Sequence, residues 1–296
     1  MAGERNFIVY TFPWDENIGG VIFMHNLVHE LNRMGECAFL YNAASIYKQR
    51  RRDEILNWFR PKKMVTNPLL ATPIANSRDI SVESIVVYPE LVRGNPLNAG
   101  NVVRWLLYRP GLLHPFQFGP QEMFFRAGPM SDLPELTGGA PDLYIWKVNP
   151  VYRNENRPGR KGVCYMLRKG RDKARIPETE NADAICIDGL SHAETNEIFN
   201  RCDTFYSYDE ATMYSQFAAI CGCTSVVVPG MFTSRKEWSS QHPNGRFGIA
   251  YGTHPAELDH ARTTRHLLLD DMRHKEEESL ETVRSFVELT KNRFWS

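Results

Sequence analysis

Four cations stand within six residues at Arg168-Lys169-Gly170-Arg171-Asp172-Lys173, directly after the β-rich run Val163–Leu167. Cations at a strand end suit a diphosphate, whose oxygens accept paired N–H donors. In another setting the same run would be a solvated loop. A second group follows the run Thr204–Tyr206, where Ser207, Asp209, Glu210 and Thr212 lie beside a helical stretch over Ala211–Cys221. Hydroxyls and N–H groups at a helix N-terminus suit phosphate, and a carboxylate suits sugar hydroxyls. The competing reading is that Asp209 or Thr212 only caps the helix. A third group is Asn17-Ile18-Gly19-Gly20, where Gly19 and Gly20 let backbone N–H groups approach a ligand. It is not G-x-G-x-x-G, so the dinucleotide fingerprint is absent, and a plain tight turn is the alternative. After a further strand come Glu90 and Arg93, which either pair with each other or line a substrate.

These groups need elements to hold them. Phe7–Phe12 reads as a buried strand. Val21, Met24, Leu27, Val28, Leu31 and Met34 recur at helical spacing, with Gly35 as the C-cap, and Cys37–Tyr41 reads as the next strand. Lys48–Phe59 reads as an exposed helix. Its Lys48, Arg50, Arg51 and Arg52 are expected to be a solvated face, with peripheral contact to an anionic membrane as the minor alternative. Ser84–Val87 is expected as a strand, Asn98–Tyr108 as a helix, Pro115–Pro141 as loops and Leu143–Val148 as a strand. The polar run Asn149–Gly162 reads as a linker. Beyond it, Val163–Leu167, Ala184–Ile187, Thr204–Tyr206 and Thr224–Val228 read as strands. Ser191-His192-Ala193-Glu194 fits a capping box, and Pro255–Glu288 reads as helix. The class is therefore α/β, with two Rossmann-like domains facing a cleft. The expected domains are 1–150, 151–280 and a C-terminal helix, 281–296, crossing back to the first through Val283, Phe286, Val287 and Phe294.

Composition limits the partners. The 296 residues carry 35 Lys+Arg and 35 Asp+Glu, which argues against a nucleic-acid binder. No run of 18 apolar residues suggests a membrane span, and the N-terminus lacks a signal-peptide core, so a cytoplasmic location is expected. The six cysteines, Cys37, Cys164, Cys186, Cys202, Cys221 and Cys223, form no C-x-x-C pair and read as free thiols.

Gln216-Phe-Ala-Ala-Ile-Cys-Gly-Cys-Thr-Ser-Val-Val-Val resembles the "EAMACGxPVV" segment of nucleotide-sugar-dependent glycosyltransferases of the GT-B fold, polysaccharide-assembly type. Glu194–Asp203 is similar to the helix that precedes it. The run from Asn17 to Gly35 is similar to their N-terminal "GG-x7-L-x3-G" helix, and Arg168 to Lys173 has their R-x4-K spacing. The lysine followed by glycine, which is usual there, is Lys169, so both lysines are retained as candidates. The resemblance implies a donor site of Gly19, Gly20, Arg168, Lys169, Lys173, Ser207, Asp209, Glu210, Thr212, Ser215 and Gln216. It implies no metal and no cofactor, a UDP-, GDP- or dTDP-sugar as donor, and a hydroxyl of a glycan or glycolipid as acceptor. The transfer would be of a hexosyl or deoxyhexosyl unit. Retaining members carry E-x7-E. Here the second position is Gln216 and Tyr208 stands eight residues earlier, so stereochemistry stays open. An inverting enzyme needs a base, for which Asp15 leads and Glu16, His25 and Glu122 follow. Alternatives are a non-catalytic nucleotide- or sugar-binding scaffold of the same fold and a sugar-nucleotide epimerase of the same plan.

Overall fold

The computed structural model describes residues 4–43, 63–112, 115–242 and 245–296. The expected helix over Lys48–Phe59, with its basic run, lies outside them. The chain divides into two compact units, Met1–Trp146 with Glu277–Ser296, and Lys147–Glu276.

The first unit is a five-stranded parallel sheet. It holds β1 (Phe7–Thr11), β2 (Ala38–Asn42), β3 (Ile85–Pro89), β4 (Asn101–Leu106) and β5 (Met123–Arg126), in the order β2-β1-β3-β4-β5. Parallel strands are covered on both faces, so β1 and β3 are buried at every residue. Phe7 and Val9 point to one face and join Leu27 and Leu31 of α1 (Gly19–Arg33), while Ile8 and Tyr10 point to the other. The helix ends in a Schellman motif, as Gly35 leads one to expect. Gly35 has φ +85°, its N–H reaches Asn32 O at 3.2 Å, and Glu36 N–H reaches Leu31 O at 3.0 Å.

The second unit repeats this plan. It holds β6 (Val163–Met166), β7 (Ile185–Cys186), β8 (Thr204–Ser207), β9 (Thr224–Val227) and β10 (Ile249–Tyr251), all parallel, in the order β7-β6-β8-β9-β10. The helices are α2 (His192–Arg201), α3 (Tyr214–Cys221), α4 (Arg235–Gln241) and α5 (Pro255–Phe294). The Ser191/Glu194 capping box forms in both directions, at 3.3 and 2.9 Å. Both sheets thus share the order 2-1-3-4-5 of a doubly wound fold. Two Rossmann-like units in series, with the last helix ending in the first unit, follow the GT-B plan.

Four expectations fail for identifiable reasons. Asn98–Tyr108 is a strand, β4, because Val102, Val103, Trp105 and Leu106 fill a central position buried on both faces; their spacing mimics a helix. Pro115–Pro141 contains β5 at the sheet edge. Leu143–Val148 joins no sheet: Trp105 Nε1 donates to Leu143 O (2.7 Å) and Tyr144 pairs with Thr282 of α5. The polar run 149–162 belongs to the second unit, where Arg160 donates to Phe199 O of α2 and Cys221 O of α3.

Candidate functional site

In a 2-1-3-4-5 sheet, ligands settle beyond the carboxyl ends of strands 1 and 3, where the chain winds to opposite sides. In the second unit these strands are β6 and β8, and the two polar groups singled out in the sequence follow them directly. Their loops touch through backbone: a Cβ added at Gly170 would lie 1.9 Å from Tyr208 O, so only glycine fits. The Asp188 carboxylate, beyond β7, accepts from the N–H groups of Leu167 (3.2 Å) and Arg168 (3.1 Å). Arg168 takes φ +41°, unusual for a residue with a side chain. Its guanidinium lies 5.3 Å from the Tyr214 ring centroid, at the start of α3. Lys169 is exposed on the same turn.

Lys173 is differently placed. Its ammonium donates to Glu210 Oε2 (2.9 Å) and to Val228 O (2.9 Å). Glu210 is buried, and its oxygens also accept from the Gly230 and Met231 amides (3.1 and 3.0 Å) and from Tyr251 OH (2.6 Å). Burial pushes the carboxyl upward in pKa, but Tyr251, Lys173 and the Met231 amide outweigh it and leave it below the ordinary value. The Glu210 carbonyl accepts from Trp238 Nε1 at 2.9 Å. Glu210 thus ties β6's loop, the loop after β9, α4 and β10 together.

The neighbouring groups are used locally as well. Ser207 Oγ donates to Asp209 O (2.7 Å), Asp209 Oδ1 accepts from Ala211 N–H (3.0 Å), and Thr212 Oγ1 accepts from Tyr214 N–H (3.3 Å). These bonds shape the turn into α3. Ser215 and Gln216 are buried in the first turn of that helix, and Ser215 Oγ has no hydrogen-bond partner. Tyr208, eight residues before Gln216, is buried and accepts from Ile176 N–H at 2.9 Å.

His242, at the C-cap of α4, completes the group. Its ring packs against Phe232 and Trp238, at 5.8 and 6.1 Å between centroids, and its Nε2 is buried without a partner. Burial pushes its pKa down to about 4; Glu210 opposes this and Lys169 adds to it. The sequence offers His242 and Gly245, around the Pro-Asn-Gly run before Phe247, without a defined role, because the ring's neighbours, Phe232 and Trp238, are brought to it by the fold.

In the first unit the corresponding strands are β1 and β3. Gly19 and Gly20 open α1; no side chain caps it and no acid stands in its first turn. A Cβ at Gly19 would meet nothing within 4 Å. Asp15 is exposed in the loop before α1 and accepts from Asn17 N–H at 2.8 Å. His25 does not fit the role of base. Its Nε2 donates to Phe12 O (3.0 Å), its Nδ1 is buried, and burial lowers its pKa. Glu122 does not fit either. Both of its oxygens hold Arg104, at 2.8 and 2.6 Å. Arg104, fully buried on β4, also donates to Val92 O and Gly94 O and lies between Tyr88 and Phe118. Glu90 accepts from Leu107 N–H at 2.9 Å, while Arg93 is exposed.

Among the described residues, no three His, Cys, Asp or Glu side chains converge as a metal site, and no helix is long and apolar enough to cross a membrane. All six cysteines are free; Cys186 is exposed and Cys164, Cys202, Cys221 and Cys223 are buried.

No family model matches the chain, and no curated protein matches it by sequence. Among solved structures it is similar to a protein described as a UDP-N-acetylglucosamine 2-epimerase from Listeria monocytogenes, with a TM-score of 0.46 and 12% identity over 98% of this chain and 97% of that one. It is also similar to sucrose-phosphate synthase from Thermosynechococcus elongatus, with a TM-score of 0.41 and 8% identity over 95% and 94% of the two chains. The fold assignment rests on the strand orders above.

Proposed function

We propose that the chain is a nucleotide-sugar glycosyltransferase, moving a sugar from a nucleoside-diphosphate donor to a hydroxyl of a glycan or glycolipid. The observation that carries this reading is the junction of Gly170 with Tyr208. It holds a cationic turn against the approach to α3 at the point where such a sheet binds ligands. The resemblance of Gln216–Val228 to the donor-binding segment of GT-B glycosyltransferases supports it.

The chemistry asked of the protein is modest in kind. The departing diphosphate gathers negative charge, which the Arg168 and Lys169 side chains and the first N–H groups of α3 would stabilise. Gln216 would hold the donor ribose by hydrogen bonding, without a carboxylate's charge. Of the carboxylates considered, Asp15 is exposed and near the opening of α1. An inverting transfer would use it to take the acceptor's proton, and a retaining one would leave it without that duty.

Calorimetric titration with UDP, GDP and dTDP, with and without EDTA, tests the donor. Micromolar binding of one of them, unchanged by EDTA, is the expected outcome. Incubation with the matching sugar nucleotide and a mixed glycan pool then tests the reaction. Transfer releases the nucleoside diphosphate, whereas epimerisation leaves the sugar nucleotide whole and inverts one sugar carbon. Absence of binding to any of the three would overturn the reading.

A further inference from the structure

A second polar group of the second unit lies away from the turns after β6 and β8. A cavity of about 290 Å³ is lined by Ser239 of α4, Arg246 of the segment before β10, and Asp271 and Lys275 of α5. Gly248 brings that segment and α5 together: at its φ of +72°, a Cβ would lie 3.2 Å from Leu268 and 3.3 Å from the Arg265 backbone. Leu268, Asp271 and Lys275 recur at three- and four-residue steps, so the face of α5 that packs beside Gly248 continues into the cavity. All five strands of this sheet are parallel. Arg246, which precedes the amino end of β10, therefore stands at the opposite end of the sheet from the turns after β6 and β8.

The charges of this cavity do not cancel. Asp271 and Lys275 pair along the helix, with side chains only 17% and 15% exposed, and compensate each other. Among the described residues Arg246 pairs with no carboxylate. Its guanidinium lies 5.0 Å from the Phe247 ring centroid, and its carbonyl lies 3.0 Å from His260 Nε2. Ser239 Oγ makes only a long bond, 3.4 Å to Lys236 O, which leaves the hydroxyl to a ligand. Lys275 donates to Asp271 Oδ2, so Oδ1 can accept from a hydroxyl. A guanidinium fork pairs with two oxygens of a phosphate, whereas a carboxylate repels a phosphate and accepts from hydroxyls. A water occupies ~30 Å³, so the space exceeds what a lone phosphate ion needs. We infer that the cavity binds the phosphate monoester of a sugar or polyol, with the phosphate on Arg246 and Ser239 and the hydroxyls toward Asp271. This inference is independent of the transferase reading, which concerns the other end of the sheet.

Calorimetric titration of the whole protein with glucose 6-phosphate, inorganic phosphate and glucose, alongside thermal melting, tests it. Glucose 6-phosphate is expected to bind, inorganic phosphate to bind more weakly, and glucose not to bind. Loss of a charge-assisted pair makes Arg246→Ala weaken glucose 6-phosphate about tenfold or more, with little change in melting temperature because Arg246 is exposed. Arg246→Lys keeps the charge but loses the fork, and is expected to fall between Arg246→Ala and wild type; it serves if Arg246→Ala is too unstable to titrate. Arg168→Ala, at the other end of the sheet, is expected to bind glucose 6-phosphate as wild type does. A wild-type protein that does not bind glucose 6-phosphate would overturn the inference, as would unchanged affinity in both Arg246 variants. Equal weakening by Arg168→Ala and Arg246→Ala would also overturn it, and inorganic phosphate binding as tightly as glucose 6-phosphate would overturn the role given to Asp271. Failure of UDP, GDP and dTDP to bind, with glucose 6-phosphate bound through Arg246, would sink the transferase reading and leave this site standing.

Discussion

Glu210 and Arg104 present the same problem in the two units, a charge placed where water does not reach. Arg104 is compensated by the two oxygens of Glu122 and by two backbone carbonyls. Removing one partner of such a pair strands the other, at a cost of about 3–5 kcal/mol. Glu122→Ala is therefore expected to lower unfolding stability by about that amount in urea titration, and a stability within 1 kcal/mol of wild type would show the pair to be expendable. The His242 pKa is depressed to about 4 from an ordinary value near 6.5. Between those values the unfolded chain takes up a proton that the folded one refuses, so stability falls as pH drops through that window. His242→Asn should flatten this part of the stability–pH curve. Glu210 is also depressed, so its contribution is present above the ordinary carboxylate range and is lost on further acidification; Glu210→Gln should flatten that lower part. Equal slopes in the variants and wild type would contradict both assignments. At this scale the sequence pointed to Arg168, Lys169, Lys173, Asp209 and Glu210 as a group. What it did not show was direction. Lys169 and Lys173 are four residues apart and chemically alike, and only packing turns one outward and the other onto Glu210.

The loops and helix ends are where local rules carried furthest. The Gly35 Schellman motif and the Ser191/Glu194 box depend on residues within six positions of each other, so their chemistry is written in the chain. The junction at Gly170 is different, because its partner, Tyr208, is 38 residues away and arrives through strand pairing. Gly170→Ala must push the two loops apart. It is expected to weaken nucleotide or pyrophosphate binding at least tenfold with a smaller loss of stability, about 1–3 kcal/mol. Retained affinity would show that the junction does not shape the site. Val102, Val103, Trp105 and Leu106 of β4 satisfy a helical spacing as well as a two-faced strand, so their pattern along the chain points to a helix and burial on both faces makes it a strand. The fully buried Arg104 among them is compensated by Glu122, which stands directly before β5 and comes beside Arg104 when β5 pairs with β4.

Across the whole molecule, the return of the last helix to the first unit has a measurable consequence. Phe286 of α5 is fully buried against Phe7 and Phe125, at 5.7 and 5.0 Å between ring centroids, with Val283 beside it. Phe286→Ala should cost the first unit about 3–5 kcal/mol. Deleting residues 282–296 should split thermal unfolding into two transitions, with the first unit melting earlier. A single unshifted transition would contradict that packing. The sequence by itself determined the α/β class, two successive strand–helix blocks, the apolar face of the last helix and the cationic turn after β6. Each of these is a matter of periodicity or of neighbours along the chain, and hydrophobic burial enforces it locally. Only the tertiary structure decided the 2-1-3-4-5 order of both sheets, the burial of His25 and the pairing of Glu122 with Arg104, and the pairing of Lys173 with Glu210. Those depend on which distant backbone carbonyl or carboxylate each side chain meets. Such pairings are set by long-range strand registry and by the cost of leaving a charge unpaired, neither of which is expressed in residue spacing.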